Sequence, residues 1–180
     1  MAKVIIVGDG PGGLSAALLL AKLDTEVTVF GVDETDMHKA MLYNYLGIPE
    51  MTGSEFQKVS RQQVASFGAD LQKKLVTGIE KTADGFVVTT EGGEQHQSKY
   101  VILAEGKKVA LSMELGLTQK AQNVPVKRGG YTDIEGLFVI GRSANILRSQ
   151  AIISAGEGAA TALEILSAES GKDVRDFDSV

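Results

Sequence analysis

The sequence lacks cysteine and tryptophan, and it has two histidines among its 180 residues. The lack of cysteine excludes disulfides, thiolate metal sites, a nucleophilic cysteine and a CxxC redox pair within these residues. Any redox chemistry must therefore come from a bound cofactor. His38 and His96 are too few and too far apart in the sequence to predict a zinc site.

Positive charge is also in short supply, with 18 Lys and Arg against 23 Asp and Glu and a net charge of −5. A nucleic-acid partner is therefore not expected, because such proteins usually carry a basic face. The longest apolar run near the start, residues 14–21, is too short for a bilayer span, and the first residues do not read as a signal peptide. We expect no membrane partner and a cytoplasmic location.

The first thirty residues predict a βαβ unit. Residues 3–7 form a nearly continuous β-branched run, typical of a strand buried on both faces of a parallel sheet. A glycine-rich turn follows at residues 8–13, then an apolar helix at 14–23 and a second strand at 26–30.

The rest of the chain predicts further elements of an α/β fold. Ser54 is the candidate N-cap of a helix that ends near Phe67, before Gly68. Hairpin signals at Asp84-Gly85 and Gly92-Gly93 predict a β-meander. No element is predicted for residues 106–133. The remaining predictions are strands at 70–76 and 100–104, meander strands at 78–82, 85–91 and 95–100, a last strand at 137–140 and a long helix at 149–167. Residues 1–168 are expected to form one domain, and residues 169–180 a charged tail.

The turn carries a GxGxxG pattern between a strand and a helix, which is typical of a dinucleotide-binding fold. The first glycine allows the tight turn, the second lets a pyrophosphate approach the backbone, and the third allows close packing. The motif consists of Gly8, Asp9, Gly10, Pro11, Gly12 and Gly13.

An acid that binds the adenosine ribose is expected near the end of the second strand. Gly31 stands at the usual strand-end position, and Asp33 and Glu34 follow it. These two acids either reach the ribose or are solvated loop acids; the pattern leaves both interpretations open. The meander before a further parallel strand favours an FAD-binding variant over a domain that binds only NAD.

Several motifs in order resemble the FAD domain of the thioredoxin reductase family. They are GDGPGGLSAALLLAKL, NYLGIPEMTGSEF followed by FGADL, Ala104-Glu105-Gly106, residues 136–141 and residues 150–158. The resemblance implies a Rossmann-like, three-layer α/β fold with a parallel sheet, a crossover β-meander and helices on both sides. It also implies bound FAD. Beyond the glycine turn, the implied FAD-binding residues are Gly31, Asp33, Glu34, His38, Asn44, Gly78, Ile79, Ala104, Glu105, Gly106, Gly141, Arg142, Gln150, Ala151 and Ile152.

The sequence departs from the family at several of these positions. Glu105 replaces a threonine, Arg142 replaces an aspartate that bonds the ribitol, and Ser149 replaces an arginine. Arginine only donates hydrogen bonds, so we expect Arg142 to contact the FAD pyrophosphate instead. The NADPH-binding insertion that carries the family's CxxC pair is absent between Gly106 and Gly129.

The function predicted from these motifs is that of a thioredoxin reductase-like flavoprotein. It would take electrons from external NAD(P)H or from a partner protein, and it would form a homodimer. Three alternatives remain open at this point. The chain is a non-catalytic module that binds FAD or another dinucleotide for sensing or storage, an NAD(P)-binding domain of a multi-chain enzyme, or a decayed domain with weakened FAD affinity.

Overall fold

A computed structural model describes residues 4–178. Within that range the chain forms ten strands and four α-helices. The strands are β1 (Val4–Val7), β2 (Val27–Phe30), β3 (Met41–Leu42), β4 (Met51–Thr52), β5 (Asp70–Gln72), β6 (Val76–Thr82), β7 (Gly85–Thr90), β8 (Gln95–Ser98), β9 (Tyr100–Leu103) and β10 (Leu137–Val139). The helices are α1 (Pro11–Lys22), α2 (Gly53–Ser66), α3 (Ala110–Glu114) and α4 (Ala151–Ser170).

A five-stranded parallel sheet forms the centre, in the order β10-β9-β1-β2-β5. Strand β1 lies in the middle, and Val4 pairs in register with Val27 on one side and Tyr100 on the other. All four residues of β1 are buried, which explains its apolar, β-branched sequence. The prediction for β1 began at Lys3, which lies outside the described residues.

The two faces of this sheet are covered differently. Helices α1, α2 and α4 pack on one face around a first hydrophobic cluster. The antiparallel meander β6-β7-β8 covers the other face around a second cluster, to which Val109 and Leu111 beside and within α3 contribute. The expected three-layer α/β fold with a parallel sheet and a crossover meander is confirmed.

Helices α1 and α4 approach each other closely enough for backbone contact. A Cβ atom on Gly158 would lie 2.0 Å from the carbonyl oxygen of Gly12, so no side chain fits there. By length and composition α4 could cross a membrane, with a mean hydropathy of 1.2. Three of its buried residues, Ala162, Ile165 and Leu166, belong to the first hydrophobic cluster together with residues of α1. Packing in the protein core therefore accounts for its apolar sequence.

Some boundaries differ from the predictions. Helix α2 is capped by Thr52, whose Oγ1 accepts a hydrogen bond from the Glu55 N–H at 3.2 Å, so the prediction of Ser54 as N-cap is wrong. The parallel strand predicted at 70–76 is only three residues long. Helix α3 lies in the segment where no element was predicted.

The C-terminal segment continues the fold beyond the predicted domain boundary. Helix α4 runs to Ser170 and is ended by Gly171 in the left-handed conformation, with φ of +68°. Lys22 on α1 donates hydrogen bonds to Asp176 and Asp178, at 2.8 and 2.6 Å. The described part of the charged tail is therefore attached to α1.

Candidate dinucleotide-binding site

The glycine-rich turn connects β1 to α1 at the carboxyl edge of the parallel sheet. A Cβ atom on Gly8 would lie 2.2 Å from the carbonyl oxygen of Ala104, and Gly8 has a φ of +108°. A Cβ atom on Gly13 would lie 1.9 Å from the carbonyl oxygen of Gly8. Both distances are far shorter than a van der Waals contact, so the fold itself requires glycine at these two positions.

At Gly10, in contrast, the fold itself does not require glycine. Its φ of −76° suits any residue, and among the described residues an added Cβ atom would meet only the Thr35 hydroxyl, at 3.5 Å. Helix α1 begins at Pro11, and no described side chain caps its first turn. Its first N–H groups are thus free to bind an anion, and the positive end of the helix dipole favours one. The space at Gly10 and these donors fit the diphosphate of a dinucleotide.

An acid does stand at the end of β2, but it comes from the glycine turn. The side chain of Asp9 is 7% exposed, and its Oδ2 accepts hydrogen bonds from the Asp33 N–H at 3.0 Å and from Arg61 at 2.5 Å. A Cβ atom on Gly31 would lie 2.3 Å from Asp9 Cγ. The Asp9 carboxyl group therefore fills the space that a side chain on Gly31 would take.

Of the two acids expected at the ribose, one contacts a histidine and the other is exposed. The Asp33 carboxylate lies 2.9 Å from His38 Nε2, and Glu34 is exposed. His38 Nδ1 is 3.0 Å from the Ser54 hydroxyl at the start of α2. The imidazole thus connects the loop after β2 to α2.

Arg142, expected at the pyrophosphate, pairs with an acid of this chain. Its Nη1 donates to Asp36 Oδ2 at 2.5 Å, and Lys107 Nζ lies 3.3 Å from the same oxygen. The hydrogen bond from Lys107 is the main cause that lowers the pKa of Asp36, and the charges of Lys107 and Arg142 add to it. Three loops, which follow β2, β9 and β10, therefore meet in one charged cluster at the edge of the sheet.

Glu105 faces α3 rather than an open site. Its Oε2 accepts a hydrogen bond from the Leu111 N–H at 2.9 Å, and its Oε1 accepts from the Ser112 N–H and hydroxyl at 3.1 and 2.6 Å. Burial nevertheless raises the pKa of Glu105. Next to it, the Gly106 carbonyl accepts a hydrogen bond from Ser143 at 3.1 Å, which joins the turns after β9 and β10.

At the expected flavin end of the site, a side-chain hydrogen bond connects two loops. Asn44 donates to Gln150 Oε1 at 3.0 Å, and this contact connects the loop after β3 to the residue before α4. Ala151 and Ile152 begin α4 beside it. The other predicted contacts, Gly78 and Ile79, lie on β6 of the meander, where Ile79 packs against the second hydrophobic cluster.

Sequence reasoning missed three polar side chains around this edge. Gln57 is buried and donates from Nε2 to the Asp9 carbonyl at 2.9 Å, and Arg61 contacts the same residue from the next turn of α2. Glu157 accepts a hydrogen bond from the Gly141 N–H at 2.7 Å, and burial raises its pKa. The i, i+4 spacing of Gln57 and Arg61 places them on one helix face, but the spacing alone does not indicate what they contact.

The parallel sheet, the glycine turn before α1 and the meander on the opposite face define a dinucleotide-binding α/β domain. Residues 2–121 match the family model for pyridine nucleotide-disulphide oxidoreductases. The chain belongs to this family of oxidoreductases.

Curated relatives and solved structures extend this comparison. The chain is 33% identical over 107 residues to a thioredoxin reductase of Aquifex aeolicus, which is 57% of this chain and 33% of that protein. It is 29% identical over 164 residues to a thioredoxin reductase of Streptomyces clavuligerus, which is 79% of this chain and 51% of that protein. It is 34% identical over 106 residues to a component of the alkyl hydroperoxide reductase of Staphylococcus aureus, which is 57% of this chain and 21% of that protein. The chain thus spans about a fifth to a half of these relatives.

Solved structures confirm the fold at lower sequence identity. The atypical thioredoxin reductase TRi from Desulfovibrio vulgaris Hildenborough superposes with a TM-score of 0.86 at 18% identity, over 95% of this chain and 99% of that chain. A thioredoxin reductase from Gloeobacter violaceus gives a TM-score of 0.86 at 16% identity, over 99% and 98% of the two chains. The architecture is thus that of thioredoxin reductase structures.

Proposed function

We propose that this chain binds FAD non-covalently and serves as a thioredoxin reductase-like flavoprotein. The observation that carries the proposal is the contrast between the crowded glycines, Gly8 and Gly13, and the open Gly10. Gly10 lies in front of the first turn of α1, which no side chain of residues 4–178 caps. That turn would hold the diphosphate, and the adenosine would lie toward the end of β2. The flavin would lie toward Asn44 and the start of α4.

The flavin, when bound, supplies the electron transfer, and the protein supplies position and electrostatic environment. The 180 residues contain no cysteine, so no dithiol of this chain can pass electrons onward. We also propose an external electron donor, either NAD(P)H or a partner protein, because the connection between Gly106 and Gly129 is too short to hold an NAD(P)H-binding domain. Members of the family are oxidoreductases, which favours a catalytic role over FAD storage.

A spectrum and an anaerobic titration test this proposal. The purified protein should be yellow, should release FAD on denaturation, and should be bleached by NADH, NADPH or a reduced partner protein. A colourless protein that takes up no added FAD would contradict the assignment. If FAD stays bound but no donor reduces it, a non-catalytic module for sensing or storage is favoured instead. If the protein binds NAD(P) and no FAD, an NAD(P)-binding domain of a multi-chain enzyme is favoured.

We also propose a cytoplasmic homodimer. Exposed apolar side chains lie on both segments that the Asn44–Gln150 hydrogen bond connects. Tyr43 is 68% exposed, Leu46 89% and Leu147 83%. Exposed apolar side chains grouped in this way favour contact with another protein surface. Sedimentation equilibrium measures the mass; a monomer at all concentrations would contradict the dimer.

A further inference from the structure

At the end of β2, the acidic side chain comes from Asp9 of the glycine turn and not from the strand-end residue, Gly31. Gly31 has no side chain, and its backbone N–H donates to the Gln72 carbonyl at 3.1 Å. A Cβ atom on Gly31 would lie 2.6 Å from Asp9 Oδ1 and 2.3 Å from Asp9 Cγ. The carboxyl group of Asp9 therefore occupies the position that the first carbon atom of a strand-end side chain would take.

We propose that Asp9, and not Asp33 or Glu34, binds the adenosine ribose of the cofactor. This inference rests on the proposed FAD binding. Within residues 4–178, both hydrogen bonds to the Asp9 carboxylate go to Oδ2, so Oδ1 keeps its full accepting capacity. Ribose hydroxyl groups donate hydrogen bonds, and an ionised carboxylate is a strong acceptor for them.

The surroundings of Asp9 hold that carboxylate in a fixed orientation. Arg61 donates a hydrogen bond to Oδ2 from α2, and this contact fixes the torsion of the Asp9 side chain. Gln57, one turn earlier on α2, donates to the backbone carbonyl of Asp9. Arg61 and Gln57 are thus positioning residues, which act on the ribose through Asp9.

The conformation of Asp33 agrees with this assignment. Asp33 has a φ of +58°, which is uncommon for a residue other than glycine. In that conformation its N–H donates to Asp9 Oδ2, while its own carboxylate contacts His38. Asp33 therefore donates its backbone N–H to the Asp9 carboxylate, while its own carboxylate contacts His38 instead.

The experiment compares FAD with its analogue that contains 2′-deoxyadenosine. Dissociation constants of the apoprotein for both ligands are measured by calorimetry. We expect the wild-type protein to prefer FAD by about tenfold, which corresponds to about 1.4 kcal/mol. In Asp9→Asn this preference should fall below threefold, and in Asp33→Asn, where asparagine tolerates the positive φ, it should remain.

Each outcome decides between the assignments. If Asp9 had only a structural role, Asp9→Asn would weaken the binding of both ligands equally. The tenfold ratio of their dissociation constants would then stay unchanged, which would overturn the inference. Loss of the ratio in Asp33→Asn, or no preference in the wild-type protein, would overturn it as well. If the wild-type protein binds neither ligand, the proposed FAD binding itself has failed. Circular dichroism verifies folding, and Asp9→Ser provides the same comparison if Asp9→Asn does not fold.

Discussion

Replacing Gly10 by valine should separate cofactor binding from folding. Among the described residues, a Cβ atom at Gly10 would meet only the Thr35 hydroxyl, at 3.5 Å, and φ is an ordinary −76°, so we expect the folded chain to accommodate the new side chain. Gly10 is the N-cap of α1, where valine is less favourable than glycine by about 1 kcal/mol. For a domain of this size, that lowers the melting temperature by about 2–4 °C.

The effect on FAD should be much larger. The valine side chain keeps a diphosphate away from the first N–H groups of α1. Each hydrogen bond to a charged group contributes about 1.5–3 kcal/mol, so the loss of two costs about 3–6 kcal/mol. Because about 1.4 kcal/mol corresponds to a factor of ten, the affinity should fall by about a hundredfold or more.

The assay measures flavin content after purification, FAD titration of the apoprotein, and thermal unfolding followed by circular dichroism. Gly13→Ala is the matched control, because its Cβ atom would lie 1.9 Å from the carbonyl oxygen of Gly8 and should disrupt folding itself. A Gly10→Val protein that folds and keeps its full FAD content would refute the assignment of this turn to the diphosphate.

Three further predictions concern other parts of the molecule. Arg142→Ala should weaken FAD binding about tenfold, and by less at high salt, because salt screens the charge of the guanidinium. Asp36→Asn should strengthen FAD binding, because it removes the carboxylate that pairs with Arg142. If FAD titrations show no change in either variant, Arg142 does not contact the phosphates. Thr52→Ala should lower the free energy of unfolding by about 1 kcal/mol in urea titrations, and Ser54→Ala by clearly less; equal effects would contradict the cap. Because burial raises the pKa of Glu105 above 4.5 in the folded state, its stabilising contribution is present at acidic pH and lost as pH rises through the folded pKa. Urea titrations should therefore show the stability of the wild-type protein falling relative to Glu105→Gln as pH rises, and a pH-independent difference would contradict the shift.

The parallel sheet could be predicted from sequence because its strands are short apolar runs with strong local signals. The βαβ unit and the meander follow from β-branched runs and from glycine turns, each within a few residues of the chain. Thr52 and Ser54 are both good capping residues two positions apart, so local preference could not choose between them. Helix α3 was missed because its five residues are capped by Glu105, whose role depends on the turn after β9.

The side-chain partners in the site could not be predicted, because they come from distant parts of the chain. The Arg142–Asp36 pair spans 106 residues, and the Arg61–Asp9 pair spans 52. The GxGxxG pattern predicts where a diphosphate would bind, because that depends on backbone atoms alone. It does not indicate which acid fills the space beside Gly31, since this depends on the contacts of Asp9 with the loop after β2 and with α2.

The close contact between Gly12 and Gly158 fixes the distance between helices α1 and α4 at this point. It joins the turn proposed for the diphosphate to the helix proposed to lie beside the flavin, and it consists of backbone atoms that no rotamer change can adjust. The separation of the two ends of the site therefore does not depend on a side-chain rotamer at this contact. A site with two ends at a fixed separation would favour a ligand of matching length: a flavin mononucleotide, which lacks the adenylate half, would contact one end and offer no ribose hydroxyl to Oδ1 of Asp9.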